Sequence, residues 1–219
     1  MKFSHALKIL YRYFIRYLLI NIVCLITYPI YAIPNPNKII HSVFEASDDG
    51  FDMVKTQNYY SGWVADAIFE PLLTYDYLAR PARLIPNTIT KMPQISADGK
   101  TYTFHLKKHI WFFPDPIFKG KKRELTAMDY SYTIKRLLDP SNRSPSAIFL
   151  RGKIMGLDAL AQKAEKSGHF NYDIPIAGLK TPNRYTLKIR LNAPDPNFLY
   201  VLAYGALGAV AREAIEGYG

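Results

Sequence analysis

The segment 98–140 constrains the fold most, because it contains a turn, a strand, a basic loop and a capped helix in that order. The dipeptide Asp98-Gly99 is a favoured two-residue hairpin turn, since both residue types tolerate positive φ. The following TYTFHL, residues 101–106, alternates polar side chains with Tyr, Phe and Leu. This alternation predicts a strand with one apolar face.

A helix is predicted after the loop FPDPIFKGKKREL. Thr126 stands three residues before Asp129, so its hydroxyl can accept an unpaired helix amide while the carboxylate complements the helix dipole. Apolar side chains then recur at helical spacing up to Leu138. Asp139-Pro140 should end the helix, because proline disfavours helical geometry in the residue before it.

These two segments, DGKTYTFHLKKHIWF and LTAMDYSYTIKRLLDP, resemble the family 5 extracellular solute-binding proteins, the periplasmic peptide-binding type. The resemblance continues in IFEPLLTYD (68–76), KIMGLDAL (153–160) and YTLKIRLNAPDPNFLYVLA (185–203). Two residues depart from the family pattern: His109 stands where glycine is usual, and Met53 stands in place of the proline of FDP. The resemblance implies an α/β fold of the periplasmic-binding-protein type II, here a partial first lobe with a mixed sheet and flanking helices.

The function implied by this resemblance is the solute-binding component of an ABC importer, which delivers peptides or similar small solutes to the importer's membrane subunits. Family members close two lobes on the ligand and are longer than this chain. We therefore expect a truncated form that lacks the second lobe and binds ligand poorly.

The candidate ligand-binding residues are Tyr59, Tyr60, Ser61 and Trp63. We expect them in the turn between the first strand and the first helix, which the resemblance places near the cleft between the lobes. Aromatic faces combined with a hydroxyl suit an extended peptide. The alternative is that these side chains only pack the helix onto the sheet.

The amino-terminal segment is predicted to be an export signal. The first 17 residues carry four basic and no acidic side chains, and a short apolar run and the sequence TYPIYA follow. We expect a signal peptide over 1–32, cleavage between Ala32 and Ile33, and a mature periplasmic domain over 33–219. The alternative is an uncleaved anchor, which would make the chain a membrane-tethered interaction protein.

Other chemistry is not indicated. The formal net charge is +10, but the densest basic cluster, 119–123, lies in a proline-flanked loop and is expected to be a solvated face, so nucleic-acid binding is not predicted. His105 and His109 should share one face of a strand, in water, rather than form the metal site of a hydrolase. We find no motif for a catalytic nucleophile and predict no enzyme activity and no cofactor.

The remaining elements follow from periodicity and turn residues. We predict a first strand at 39–44, a helix at 62–70, a helix from Leu157 that Gly168 closes, and a strand pair at Ile174–Leu179 and Tyr185–Leu191 joined by Thr181–Arg184. Proline at position 175 would confine the first strand of that pair to a sheet edge.

Overall fold

The structure is a computed structural model that describes residues 10–18, 37–39, 41, 43–56 and 58–218. The chain divides into two compact units, Met1–Val43 and Phe44–Gly219. In the first unit, residues 10–18 are helical and are called α1. The predicted cleavage site between Ala32 and Ile33 lies outside the described residues. Within the described part, no helix is long and apolar enough to cross a membrane.

The second unit combines helices with two small sheets. Its helices are α2 (Tyr59–Ile68), α3 (Ala127–Leu138), α4 (Leu157–Ser167), α5 (Phe198–Val201) and α6 (Arg212–Tyr218), and its strands are β1 (Leu73–Tyr75), β2 (Leu84–Pro86), β3 (Gln94–Ile95), β4 (Thr101–His105), β5 (Leu179–Asn183) and β6 (Thr186–Arg190). Strands β1 and β2 form one sheet, and the other has the order β3-β4-β6-β5. The α/β class is confirmed. All strand pairs of the described residues are antiparallel, so these sheets are not mixed as predicted.

The core lies between the four-stranded sheet and α3. The register places Tyr102 of β4 opposite Ile189 of β6 and Phe104 opposite Leu187, and all four side chains are buried. Their alternation with more exposed residues confirms the predicted apolar face of β4, and β6 turns a matching apolar face to the core. Because burial of such side chains is the main favourable term in folding, this face fixes the sheet against the helix.

Both ends of α3 are as predicted. Thr126 and Asp129 form a capping box, in which the Asp129 carboxylate accepts from the Thr126 N–H at 2.7 Å and from its hydroxyl at 2.9 Å. The helix ends at Leu138, directly before Asp139-Pro140. Helix α4 also ends as predicted, because Gly168 adopts the left-handed conformation with φ of +71°.

The β3–β4 hairpin reverses at the predicted place, but its turn is longer than two residues. Gly99 N–H donates to Ser96 O at 2.8 Å, and Ser96 N–H donates to Thr101 O at 2.9 Å. Gly99 has φ of +67°, whereas Asp98 has no positive φ. The Asp98 carboxylate instead accepts from the Ser96 hydroxyl and from the Lys100 N–H. A side-chain hydrogen bond therefore stabilises a wider turn.

The prediction for the first strand of the second pair is wrong in its position. Strand β5, Leu179–Asn183, occupies most of the segment Thr181–Arg184 that was predicted as a turn, and the residues before Leu179 contribute only an isolated bridge. Among the strands of the described residues, β5 lies at the sheet edge and pairs only with β6. An edge strand tolerates Pro182, which has no N–H to donate.

The predicted first strand at 39–44 is also wrong for the residues that the structure describes. Residues 39, 41, 43 and 44 are described, and none of them lies in a strand, whereas 40 and 42 are outside the described part. A strand needs a neighbour to satisfy its backbone N–H and C=O groups. Both sheets of the described residues are built from later segments.

Candidate functional site

The candidate site lies on α2, which begins earlier than predicted. Asn58 caps the helix, since its side-chain oxygen accepts from the Tyr60 N–H at 2.8 Å. The helix therefore starts at Tyr59 instead of position 62, and it ends at Ile68. The candidate residues 59–61 and 63 consequently lie in the first turns of the helix rather than in the turn before it.

Tyr59 and Trp63 present an aromatic surface to solvent. Their side chains are 68% and 53% exposed, and their ring centroids lie 4.7 Å apart. Tyr60 meets Trp63 edge-on at 5.8 Å, and Phe44 stacks on Tyr60 at 5.1 Å. We call this set of four rings, Phe44, Tyr59, Tyr60 and Trp63, the aromatic face. Because its two most exposed rings are not covered by the core, packing onto the sheet does not account for them.

Ser61 has a different position from its aromatic neighbours. It is fully buried, and its Oγ accepts from the Asp49 N–H at 2.9 Å. The Asp49 carboxylate in turn accepts from the Asn58 N–H at 3.0 Å. Ser61 thus ties the loop before α2 to the helix and holds the aromatic face in place.

Asp66 continues the same helix face and was missed by the sequence analysis. It lies seven residues after Tyr59 and three after Trp63, so all three project from one side of α2. Burial raises the pKa of the Asp66 carboxyl above its ordinary value. Its spacing from the two aromatic residues was the available signal, but charged residues on helices are common and the signal was weak.

The carboxyl end of α2 is anchored to the core. The Tyr130 hydroxyl donates to Glu70 O at 2.9 Å and lies 2.5 Å from the Thr88 Oγ1. Ala65 is fully buried, and Phe69 N–H closes the last turn on Ala65 O at 2.8 Å. The aromatic face therefore lies on a helix whose carboxyl end is fixed to the core.

A second concave surface, of about 920 Å³, lies elsewhere in the same unit between α3, α6 and the loop 110–118. Its lining is mainly apolar and includes Trp111. Among its charged residues, Arg136 and Asp52 are joined by two hydrogen bonds of 3.0 and 2.7 Å. Because most of the lining is apolar, the surface suits apolar contact.

The two histidines do not share a strand face as predicted. Strand β4 ends at His105, and His109 has φ of +62°, in the left-handed region. The His109 N–H donates to Glu124 Oε1 at 2.8 Å. Glycine adopts this conformation without steric cost, which is a physical reason for a glycine at this position. Among the described residues, no group of three or more potential ligands could hold a metal ion.

Comparison with known proteins identifies the family. The family model "Bacterial extracellular solute-binding proteins, family 5 Middle" matches residues 83–216. The periplasmic oligopeptide-binding protein OppA of Escherichia coli K12 is 30% identical over 154 residues, which are 69% of this chain and 25% of that protein. Di/tripeptide-binding protein 4 of Pseudomonas aeruginosa is 32% identical over 170 residues, which are 73% of this chain and 27% of that protein.

Solved structures agree with this assignment. The pheromone receptor PrgZ superposes with a TM-score of 0.61 at 25% identity, over 77% of this chain and 30% of the receptor. Haemophilus influenzae OppA, solved with the peptide RPPGFSPFR, gives 0.62 at 24% identity, over 80% of this chain and 31% of that chain, and supports the fold. The chain spans about a quarter of the length of the curated relatives named above. It belongs to the bacterial extracellular solute-binding proteins of family 5.

Proposed function

We propose that this chain is the amino-terminal part of a peptide-binding component of an ABC importer, and that the aromatic face of α2 forms one wall of the peptide site. The observation that carries the proposal is the exposed, ring-stacked pair Tyr59 and Trp63 on an anchored helix. The membership of a solute-binding family and the peptide-binding relatives support a peptide as the ligand.

The chemistry of the aromatic face fits an extended peptide. Ring faces offer apolar contact area to peptide side chains, and the tyrosine hydroxyls offer a polar group at the edge. Ser61 is buried and already bonded, so its proposed role is to hold the rings rather than to donate to the ligand.

We further propose that the 219 residues alone bind peptide weakly. A ligand of this size is normally buried over most of its surface, because one wall leaves its polar groups in water. The importer's membrane subunits are the proposed partners of the complete receptor.

Tryptophan fluorescence tests both parts of the proposal. The chain contains two tryptophans, Trp63 and Trp111, so the substitution Trp111→Phe leaves Trp63 as the reporter. Titration with a mixture of tripeptides should change its emission saturably, with a dissociation constant of about 1 mM, equivalent to about −4 kcal/mol. The matched control is Trp63→Phe, in which Trp111 should report no change.

The two parts fail in different ways. An unchanged Trp63 emission at the highest soluble peptide concentration would contradict the peptide site. A dissociation constant near about 1 µM would contradict the single wall, because it requires about 4 kcal/mol of further binding energy.

We also propose that residues 1–32 direct export to the periplasm and are removed between Ala32 and Ile33. The basic start and the following short apolar run support this. Amino-terminal sequencing of the exported product should begin at Ile33. A product that retains Met1 would favour the membrane-tethered alternative.

A further inference from the structure

We propose that Asp66 makes the aromatic face selective for a ligand cation, an ammonium or guanidinium group held beside Trp63 and Tyr59. The inference rests on the proposed peptide site, because it uses the same helix face. It assigns Asp66 to that site as a specificity residue, and it specifies that the preferred ligand carries a positive charge.

The first argument is that Asp66 reaches solvent, although part of its side chain is covered, and that it is unpaired in the described fold. Among the residues that the structure describes, it has no hydrogen bond or ion pair. It lies in the last turn of α2, where a negative charge meets the negative end of the helix dipole, and that turn holds no basic residue. Partial burial also disfavours its charged form and raises its pKa. A bound cation would offset both costs.

The second argument is the setting of the carboxylate. Tyr59 and Trp63 lie on the same side of the helix, and aromatic ring faces attract cations within about 6 Å of the ring centre. Gly62 lies between them and Asp66 in the helical net, and a Cβ placed there would meet no heavy atom within 4 Å. The surface beside these three side chains is therefore open at Gly62 and can admit a cationic group.

The third argument is that the structure makes room for the carboxylate. A Cβ built on Gly205, in the 3₁₀ turn Gly205–Leu207, would lie 2.0 Å from Asp66 Oδ1. Any side chain at position 205 would push the carboxylate away. Gly205 thus acts as a positioning residue for Asp66.

Matched peptides on the Trp111→Phe chain test the inference. Acetyl-Ala-Lys-Ala-amide and acetyl-Ala-norleucine-Ala-amide differ by one ammonium group in the side chain. Ala-norleucine-Ala-amide with a free amino terminus carries its ammonium group at the amino terminus instead of in a side chain. We expect at least one cationic peptide to bind about fivefold more tightly than the neutral peptide, and this preference to fall at high salt.

Two variants separate a contact from a general charge effect. Asp66→Asn should fold, because the carboxylate has no partner to lose among the described residues, and this variant should bind the lysine and norleucine peptides with equal affinity. Glu165→Gln changes the net charge equally at an exposed site on α4 and should keep the preference. Gly205→Ala should weaken the preference although Asp66 is retained.

The outcomes distinguish this inference from the proposed function. A preference that persists in Asp66→Asn, or equal binding of all three peptides to the parent chain, would overturn the role of Asp66 and leave the peptide site standing. No response of Trp63 to any peptide would overturn both.

Discussion

Two carboxylates, Asp129 at the start of α3 and Asp66 near the end of α2, show how differently one fold can use the same group. Asp129 is 2% exposed and accepts from the Thr126 N–H and hydroxyl and from two nitrogens of Arg123. Asp66 has no such partner among the described residues. The hydrogen bonds of Asp129 all stabilise the fold, whereas the carboxylate of Asp66 remains available to a ligand.

The network around Asp129 also corrects the prediction for the basic loop. Arg123 was expected to be solvated with the lysines before it, but its side chain is only 23% exposed and bridges Asp129 and Glu213 at 2.6 Å each. The Arg123 guanidinium lowers the pKa of the Glu213 carboxyl. The lysines at 119, 121 and 122 are exposed as predicted. One residue of the loop thus joins α3 to α6.

The largest expected effect on stability is at Asp129, at the start of α3. Asp129→Ala should lower the free energy of unfolding by about 3–5 kcal/mol, because it leaves Arg123 partly unpaired and removes the cap of α3. Urea denaturation measures the change. Glu165→Ala is the control, with an expected effect within about 0.5 kcal/mol. A loss as small as that of the control would show that the network is not holding α3.

A smaller effect on the free energy of unfolding is expected at the contact between α3 and the end of α2. Tyr130→Phe removes the hydroxyl that donates to Glu70 O, directly after α2, and should cost about 1–3 kcal/mol of unfolding free energy. Burial raises the pKa of the Tyr130 hydroxyl, which keeps it protonated as a donor. The control is Tyr77→Phe, since Tyr77 is 87% exposed. Equal stability of the two variants in urea would mean that α2 is anchored by other contacts.

The smallest effect is expected on the α2 side and has the opposite sign. Gly62→Ala should raise the free energy of unfolding by about 0.5–1 kcal/mol, because alanine favours the helix and its Cβ meets no atom. Ala67→Gly, at an exposed position of the same helix, should lower it by a similar amount. Thermal unfolding compares the pair. A destabilised Gly62→Ala would contradict the open space observed beside Gly62.

The sequence predicted those elements whose limits depend on neighbouring residues. The capping box at Thr126 and Asp129, the stop before Pro140 and the left-handed Gly168 are confirmed, since each depends on local hydrogen bonds and backbone sterics. The family resemblance was also carried by the order of such local segments, and it is confirmed.

Errors appeared where the outcome depends on distant partners. The position of β5 depends on which strand lies beside it, and Pro182 is acceptable only because that strand is at the edge. The start of α2 depends on Asn58, a cap that the aromatic run after it obscured. The candidate site was predicted at the correct helix, but the buried state of Ser61 could not be foreseen, because Asp49 lies twelve residues away.

By itself, the sequence determined the family, the apolar faces of β4 and β6 and the two ends of α3, because periodicity, caps and proline act over a few residues. Only the tertiary structure decided that Arg123 also reaches Glu213 while the neighbouring lysines are solvated, and that Tyr130 fixes the end of α2. These contacts depend on groups brought together from 60 to 90 residues apart, as the bonds of Tyr130 to Glu70 and of Arg123 to Glu213 show.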